Sequence, residues 1–196
     1  MKVSNIVTLA MNPALDKSAD VGRVVPEDKL RCQRPRFEAG GGGINVARAV
    51  NEMGGNVTTL FLAGGWSGDW LAELLENEGV SSHRIPIGQQ TRENLIVFES
   101  ETGQQFRFGM PGPELGANES EQVLQCLSEI DPVPSFLVAA GSLPPGISKD
   151  FYGRIVEAAR NRGIKVIVDT YGEALQQALY AHPFMIKPNL RELGHL

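Results

Sequence analysis

Short, wholly apolar runs alternate along this chain with stretches of helical periodicity, and this alternation constrains the fold more than any other feature. Ile6–Ala10, Val57–Ala63 and Phe136–Ala140 are apolar throughout or nearly so, and 166–169 and 184–186 are shorter runs of the same kind. Such runs are too short for helices and read as strands buried on both faces. Between them, Val46, Ala49, Val50 and Met53 recur at i, i+3, i+4 and i+7, which predicts a helix ending at Gly54-Gly55. Leu71, Leu74 and Leu75 mark another helix, opened by Ser67 and closed by Gly79. Asn118 and Glu121 have capping-box spacing ahead of Val123, Leu124, Leu127 and Ile130. Ser148 is placed to cap a helix carrying Phe151, Tyr152, Ile155 and Val156, which Gly163 terminates, and 174–179 reads as a short helix. Repeated strand–helix units of this type predict a mainly parallel central sheet with helices on both faces, a three-layer α/β/α fold.

Two segments depart from the rhythm. One, 17–37, is polar and β-like. In the other, 94–108, apolar runs at 95–98 and 106–108 flank Glu101-Thr102-Gly103, a hairpin signal. Together they predict a small second sheet, a lid drawn from about 12–37 and 90–112, projecting from a single domain. The chain shows no internal repeat and no low-complexity linker.

Composition narrows the function. With 18 basic and 23 acidic residues the net charge is −5, which argues against nonspecific nucleic-acid binding but not against one local anion site. Cys32 and Cys126 are far apart and form no C-x-x-C, so a reducing, cytoplasmic setting is expected rather than a disulfide framework. The first residues carry no signal-peptide pattern, and no apolar stretch approaches the roughly 20 residues of a membrane span. His83, His182 and His195 share no metal-ligand spacing and read as surface or structural residues.

The run Gly40-Gly41-Gly42-Gly43-Ile44-Asn45 precedes a helix. Glycines let a ligand approach the backbone, and a helix N-terminus attracts negative charge. This is not the P-loop, because no glycine in the chain is followed by lysine, and Asn45 occupies the third glycine position of the dinucleotide fingerprint. A Rossmann dehydrogenase is therefore disfavoured. Gly65-Trp66-Ser67-Gly68-Asp69 is likewise no nucleophile elbow.

Four motifs occur in order: Thr8–Asp16, the stretch from Lys29 through Arg48 with its glycine run, Gly141-Ser142-Leu143-Pro144-Pro145-Gly146, and Lys187-Pro188-Asn189 with Glu192. Together they resemble the PfkB (ribokinase-like) family of carbohydrate kinases. The resemblance implies ATP- and Mg²⁺-dependent phosphorylation of a phosphosugar, with fructose 6-phosphate favoured by the all-glycine loop. Tagatose 6-phosphate and fructose 1-phosphate are alternative acceptors. It further implies that Asp16, Gly41, Gly42, Gly43, Asn45, Arg92 and Ser142 bind the sugar. Lys187, Asn189, Glu192 and, across a dimer, Lys29 would serve the nucleotide, with Glu192 organising water around magnesium. The implied assembly is a homodimer through the lid sheet. Each residue also has a plain structural reading: Asp16 as a turn residue, Arg92 as a solvated cation, Asn189 with Glu192 as a capping box. The family's Gly-Ala-Gly-Asp tetrad, which supplies the catalytic base and an anion hole, does not occur in these 196 residues. The chain is thus expected to be C-terminally truncated and inactive by itself, or a non-catalytic sugar-phosphate-binding remnant.

Overall fold

A computed structural model describes residues 5–194 and residue 196. In chain order the elements are β1 (Ile6–Ala10), β2 (Ala14–Val21), β3 (Arg36–Gly40), α1 (Gly42–Glu52), β4 (Val57–Ala63), α2 (Gly65–Asn77), β5 (Ser82–Pro86), β6 (Arg92–Glu99) and β7 (Gln104–Phe108). Then come α3 (Ala117–Glu129), β8 (Phe136–Ala140), α4 (Phe151–Arg160), β9 (Lys165–Asp169), α5 (Gly172–Tyr180), β10 (Met185–Ile186) and α6 (Leu190–Leu193). The main sheet has the order β10-β9-β8-β1-β4-β5, and every neighbouring pair is parallel.

Because successive side chains of a strand point to opposite faces, β1 serves two cores. Val7 and Leu9 pack with Val123 of α3, Tyr152 and Ile155 of α4, and Leu175 of α5. Ala10, on the other face, packs with Ile44 of α1 and Leu71 of α2. The result is the three-layer α/β/α arrangement read from the sequence.

Several local expectations are corrected. Helix α1 buries Gly43, Ile44 and Ala47, while Met53 is 78% exposed, so the stripe through Met53 is not its core face. Ile44 and Ala47 form that core face, with Val50 packed at its margin, and Gly43 lets the first turn lie close to β1. Helix α2 starts at Gly65; Ser67 does not cap it but lies buried, its hydroxyl donating to the Thr91 carbonyl at 2.7 Å. At α3 the capping carboxylate is Glu119, which accepts from the Gly116 N–H at 3.0 Å, rather than Glu121. Helix α4 takes Asp150 as its N-cap, and Ser148 contributes a backbone carbonyl to the Phe151 N–H. Strand β5 escapes the pattern because, on the sheet edge, it buries only Ile85.

The lid is a separate four-stranded sheet, β3-β2-β6-β7, in which β2 and β6 are parallel and the outer pairs antiparallel. Strand β2 begins at Ala14 and β3 only at Arg36, so the middle of the first β-like segment is an exposed loop over 22–35. Glu99 latches that loop: its carboxylate accepts from the Val24 N–H at 2.6 Å and from the Thr102 hydroxyl. Among the described residues, no helix is long and apolar enough to cross a membrane.

Candidate active site

The chain steps from β1 outward through β4 and β5, then returns to the other side of β1 to lay down β8, β9 and β10. In open parallel sheets, ligands bind at the carboxyl ends of the strands that flank such a reversal. The glycine run lies in that crevice. Gly41 turns the chain with φ 120°, a conformation that side chains disfavour, and α1 begins at Gly42 with no side-chain cap. A Cβ at Gly42 would stand 2.7 Å from the Gly141 nitrogen and 2.8 Å from the Ala140 carbonyl carbon; one at Gly43 would stand 2.5 Å from the Leu9 oxygen. The first turn of α1 is therefore wedged between the ends of β1 and β8. Its leading amides have no intrahelical acceptor and carry the positive end of the helix dipole.

The β8 wall is held from below. The Gly141 N–H donates to the Asp169 carbonyl at 2.8 Å, and the Tyr152 hydroxyl donates to the Gly141 carbonyl at 3.0 Å. Tyr152 is fully buried; desolvation pushes its phenol pKa upward, and Asp169 and Tyr171 add to the shift. Ser142 follows, its hydroxyl accepting from Asn12 Nδ2 at 3.0 Å. Asn12 is buried, and its Oδ1 has no hydrogen-bond partner among the described residues.

The lid supplies the opposite wall. Asp16 lies within β2, not in a turn after β1, and is paired in register with Glu38 on β3 and Asn94 on β6. Asn94 Nδ2 donates to Asp16 Oδ1 at 2.7 Å. Arg92 begins β6, where Thr91 fixes it: Thr91 Oγ1 accepts from the Gly64 N–H at 3.0 Å, and the Thr91 N–H donates to the Gly64 carbonyl at 2.9 Å. The Arg92 guanidinium donates to three carbonyls, those of Pro13 (3.3 Å), Met110 (3.0 Å) and Asn12 (2.9 Å). Burial lowers its pKa, opposed by the charges of Asp16 and Tyr171. It is not the solvated surface cation of the plain reading.

Asp16, Gly41, Gly42, Gly43, Arg92 and Ser142 thus gather around one crevice, with Asn45 exposed on the first turns of α1. Lys187, Asn189 and Glu192 form a second group beyond β10. Lys187 pairs with Asp169 at 3.2 Å. Asn189 Oδ1 accepts from the Arg191 and Glu192 amides, and Glu192 accepts from the Asn189 N–H at 2.8 Å, so the capping box is formed. The two groups adjoin through Asp169, whose carbonyl holds Gly141. Lys29 lies in the exposed loop over 22–35. His83 and His182 are exposed, as expected; His195 lies outside the described residues. Asn12 and Asn94 were missed as site residues. The signal for Asn94 was its position two residues after Arg92, which on a strand places both on one face.

No cluster of three or more His, Cys, Asp or Glu side chains suited to a metal occurs among the described residues. Magnesium at phosphate sites retains several waters and takes one or two carboxylates. Glu192, with one oxygen committed to the cap, fits a water-mediated role and not a protein cage.

A doubly wound parallel sheet with a glycine-led helix at its switch point, facing a carboxylate and a half-buried guanidinium beneath a β-sheet lid, defines a ribokinase-like α/β protein. Residues 9–196 match the pfkB family carbohydrate kinases, and the chain belongs to that family. It is 46% identical over 96% of its length to ATP-dependent 6-phosphofructokinase isozyme 2 of Mycobacterium tuberculosis, and 43% identical over 97% to that of Escherichia coli. It spans 55% and 62% of those relatives' lengths. The crystal structure of Escherichia coli phosphofructokinase-2 in complex with fructose-6-phosphate superposes with a TM-score of 0.93 at 42% identity, covering 97% of this chain and 63% of that one.

Proposed function

We propose that this chain carries the sugar-binding half of an ATP-dependent phosphosugar kinase, with fructose 6-phosphate as the acceptor and its 1-hydroxyl as the nucleophile. The observation that carries this reading is the convergence, at the sheet's switch point, of an uncapped glycine-led helix, Arg92 and Asp16. The helix amides and the guanidinium offer fixed donors and positive charge to a dianionic phosphate. Asp16 offers acceptors to sugar hydroxyls, and Asn45 and Ser142 border the same crevice. Lys187, which pairs with Asp169, would offset nucleotide phosphate charge, and Asn189 with Glu192 would order a hydrated magnesium ion. Bound ATP·Mg²⁺ supplies the transferable γ-phosphoryl group. Positioning and charge stabilisation dominate such transfers, and none of the 196 residues is assigned the role of base.

The assembly and setting we propose are a homodimer in the cytoplasm. Phe98 and Phe108, both more than 40% accessible, lie on opposite faces of the lid, and a second copy packed on the lid would cover one of them and bring Lys29 toward a neighbouring nucleotide. The test is a coupled assay on the full-length protein with ATP and each of fructose 6-phosphate, tagatose 6-phosphate and fructose 1-phosphate. Preference for the first is expected. Absence of both turnover and binding with all three overturns the reading.

A further inference from the structure

We propose that Asn94 is a positioning residue for the phosphosugar site: it holds the Asp16 carboxylate in its binding orientation and keeps it off Arg92. This rests on the sugar-site reading above. Asp16 and Arg92 are opposite charges on adjacent parallel strands, with Ala14 facing Arg92 and Asp16 facing Asn94 in register. Left alone, a carboxylate and a guanidinium one register step apart would pair, since their side chains can span that diagonal. They do not pair here; Arg92 spends its donors on the carbonyls of Asn12, Pro13 and Met110. Asn94, directly opposite Asp16 in register, takes one of its carboxylate oxygens instead.

Both ends of the Asn94 amide are used. Nδ2 donates to Asp16 Oδ1 at 2.7 Å, and Oδ1 accepts from the Met110 N–H at 3.1 Å. This leaves the amide no freedom to flip, because its donor and acceptor ends have different partners. The other Asp16 oxygen stands over Gly40, where any Cβ would overlap it. The carboxylate is thus held from two sides, with its remaining acceptor capacity free for a ligand. Met110 is gripped at both backbone groups, its N–H by Asn94 and its carbonyl by Arg92. The segment returning from the lid is therefore tied to the same two side chains that define the sugar site.

The charged neighbours of Asp16 are Glu38, its register partner on β3, and Arg92 on β6. The glycine run and the segment 109–112 contribute no titratable group. Asn94→Asp keeps the shape but places a second carboxylate against Asp16. Two carboxylates at hydrogen-bond distance share one proton as pH falls, which restores the lost bond.

The experiment measures phosphosugar affinity and KM for Asn94→Ala and Asn94→Asp in the full-length protein from pH 5.5 to 8.5, with thermal unfolding and the KM for ATP in parallel. Loss of a hydrogen bond to a charged group predicts sugar binding roughly 10- to 100-fold weaker for Asn94→Ala at every pH, with the KM for ATP unchanged. Asn94→Asp is expected to match that loss at pH 8.5 and to recover most of it as pH falls. A purely structural role predicts lower stability without this recovery. Unchanged sugar affinity in both variants, or equal loss in both at all pH values, overturns the proposal. If Asn94→Ala does not fold, the pH profile of the isosteric Asn94→Asp decides alone. Wild-type protein that binds no phosphosugar overturns the functional reading and this inference together; wild-type binding with variants that bind equally well overturns only this one.

Discussion

Replacing Gly42 by alanine should destabilise the protein through a single new methyl group. The added Cβ would lie 2.7 Å from the Gly141 nitrogen, 2.8 Å from the Ala140 carbonyl carbon and 2.9 Å from the Gly141 Cα. All three are backbone atoms, and Gly141 is itself pinned by Asp169 and Tyr152, so no side-chain rotation relieves the overlap. Either α1 moves away from β8 or the β8 loop is displaced. Overpacking of this kind costs about 1–3 kcal/mol. Alanine's better helix propensity returns up to about 1 kcal/mol at an ordinary helical site, and less in the first turn. The net cost is therefore about 0.5–2.5 kcal/mol, and the resulting fall in Tm should be followed by circular dichroism on the full-length protein. Because the displaced amides are those proposed to meet the sugar phosphate, phosphosugar KM should rise as well. The control is Gly88→Ala, where a Cβ meets nothing within 4 Å, and which should stay within about 0.5 kcal/mol of wild type. A Gly42→Ala protein as stable as the Gly88→Ala control would refute the wedge between α1 and β8.

Arg92→Ala should raise the phosphosugar KM by an amount equivalent to about 1.5–3 kcal/mol while leaving the KM for ATP near wild type; Arg92→Lys should also bind more weakly, because a single ammonium cannot reach the carbonyls of Asn12, Pro13 and Met110 together. An unchanged sugar KM in Arg92→Ala would return the residue to a purely structural role. Tyr152 stays protonated in the folded state when an unfolded phenol begins to ionise near pH 10. Its contribution is fully present below that pH and is lost as pH rises above it, so Tm should fall as pH rises above about 10, and less steeply in Tyr152→Phe. Hydrogen bonds from Thr102 and the Val24 N–H hold the Glu99 carboxyl below its ordinary pKa, so its latch is present above the usual carboxylate range and lost as pH falls. Glu99→Ala should accelerate amide exchange at Val24 with little change in the main sheet.

The parts of this protein that were legible in its sequence are those specified within one segment. Four glycines before a helix have few structural uses, and the apolar strands carry their own length and burial. What stayed hidden depends on pairing across distance. Asn94 meets Asp16 from 78 positions away, and Asn12 meets Ser142 from 130, through strand neighbours that no local pattern specifies. Strand β5 was hidden for a related reason, since an edge strand buries one residue and alternates with nothing. Arg92 shows the consequence for chemistry. Sequence alone offers a guanidinium with five N–H donors. The fold commits three of them to backbone carbonyls, leaving two for a ligand. A phosphate dianion has more acceptor positions than two donors can fill, so in the proposed site charge and part of the geometry would come from Arg92 while further hydrogen bonds would fall to the amides of α1. Those amides are available because Gly41 provides no capping side chain and Gly42 provides no methyl group to hold the helix away from β8. On the proposed reading, anion recognition at this crevice is a joint property of the guanidinium and the glycine run, and weakening either should be felt in the same substrate constant.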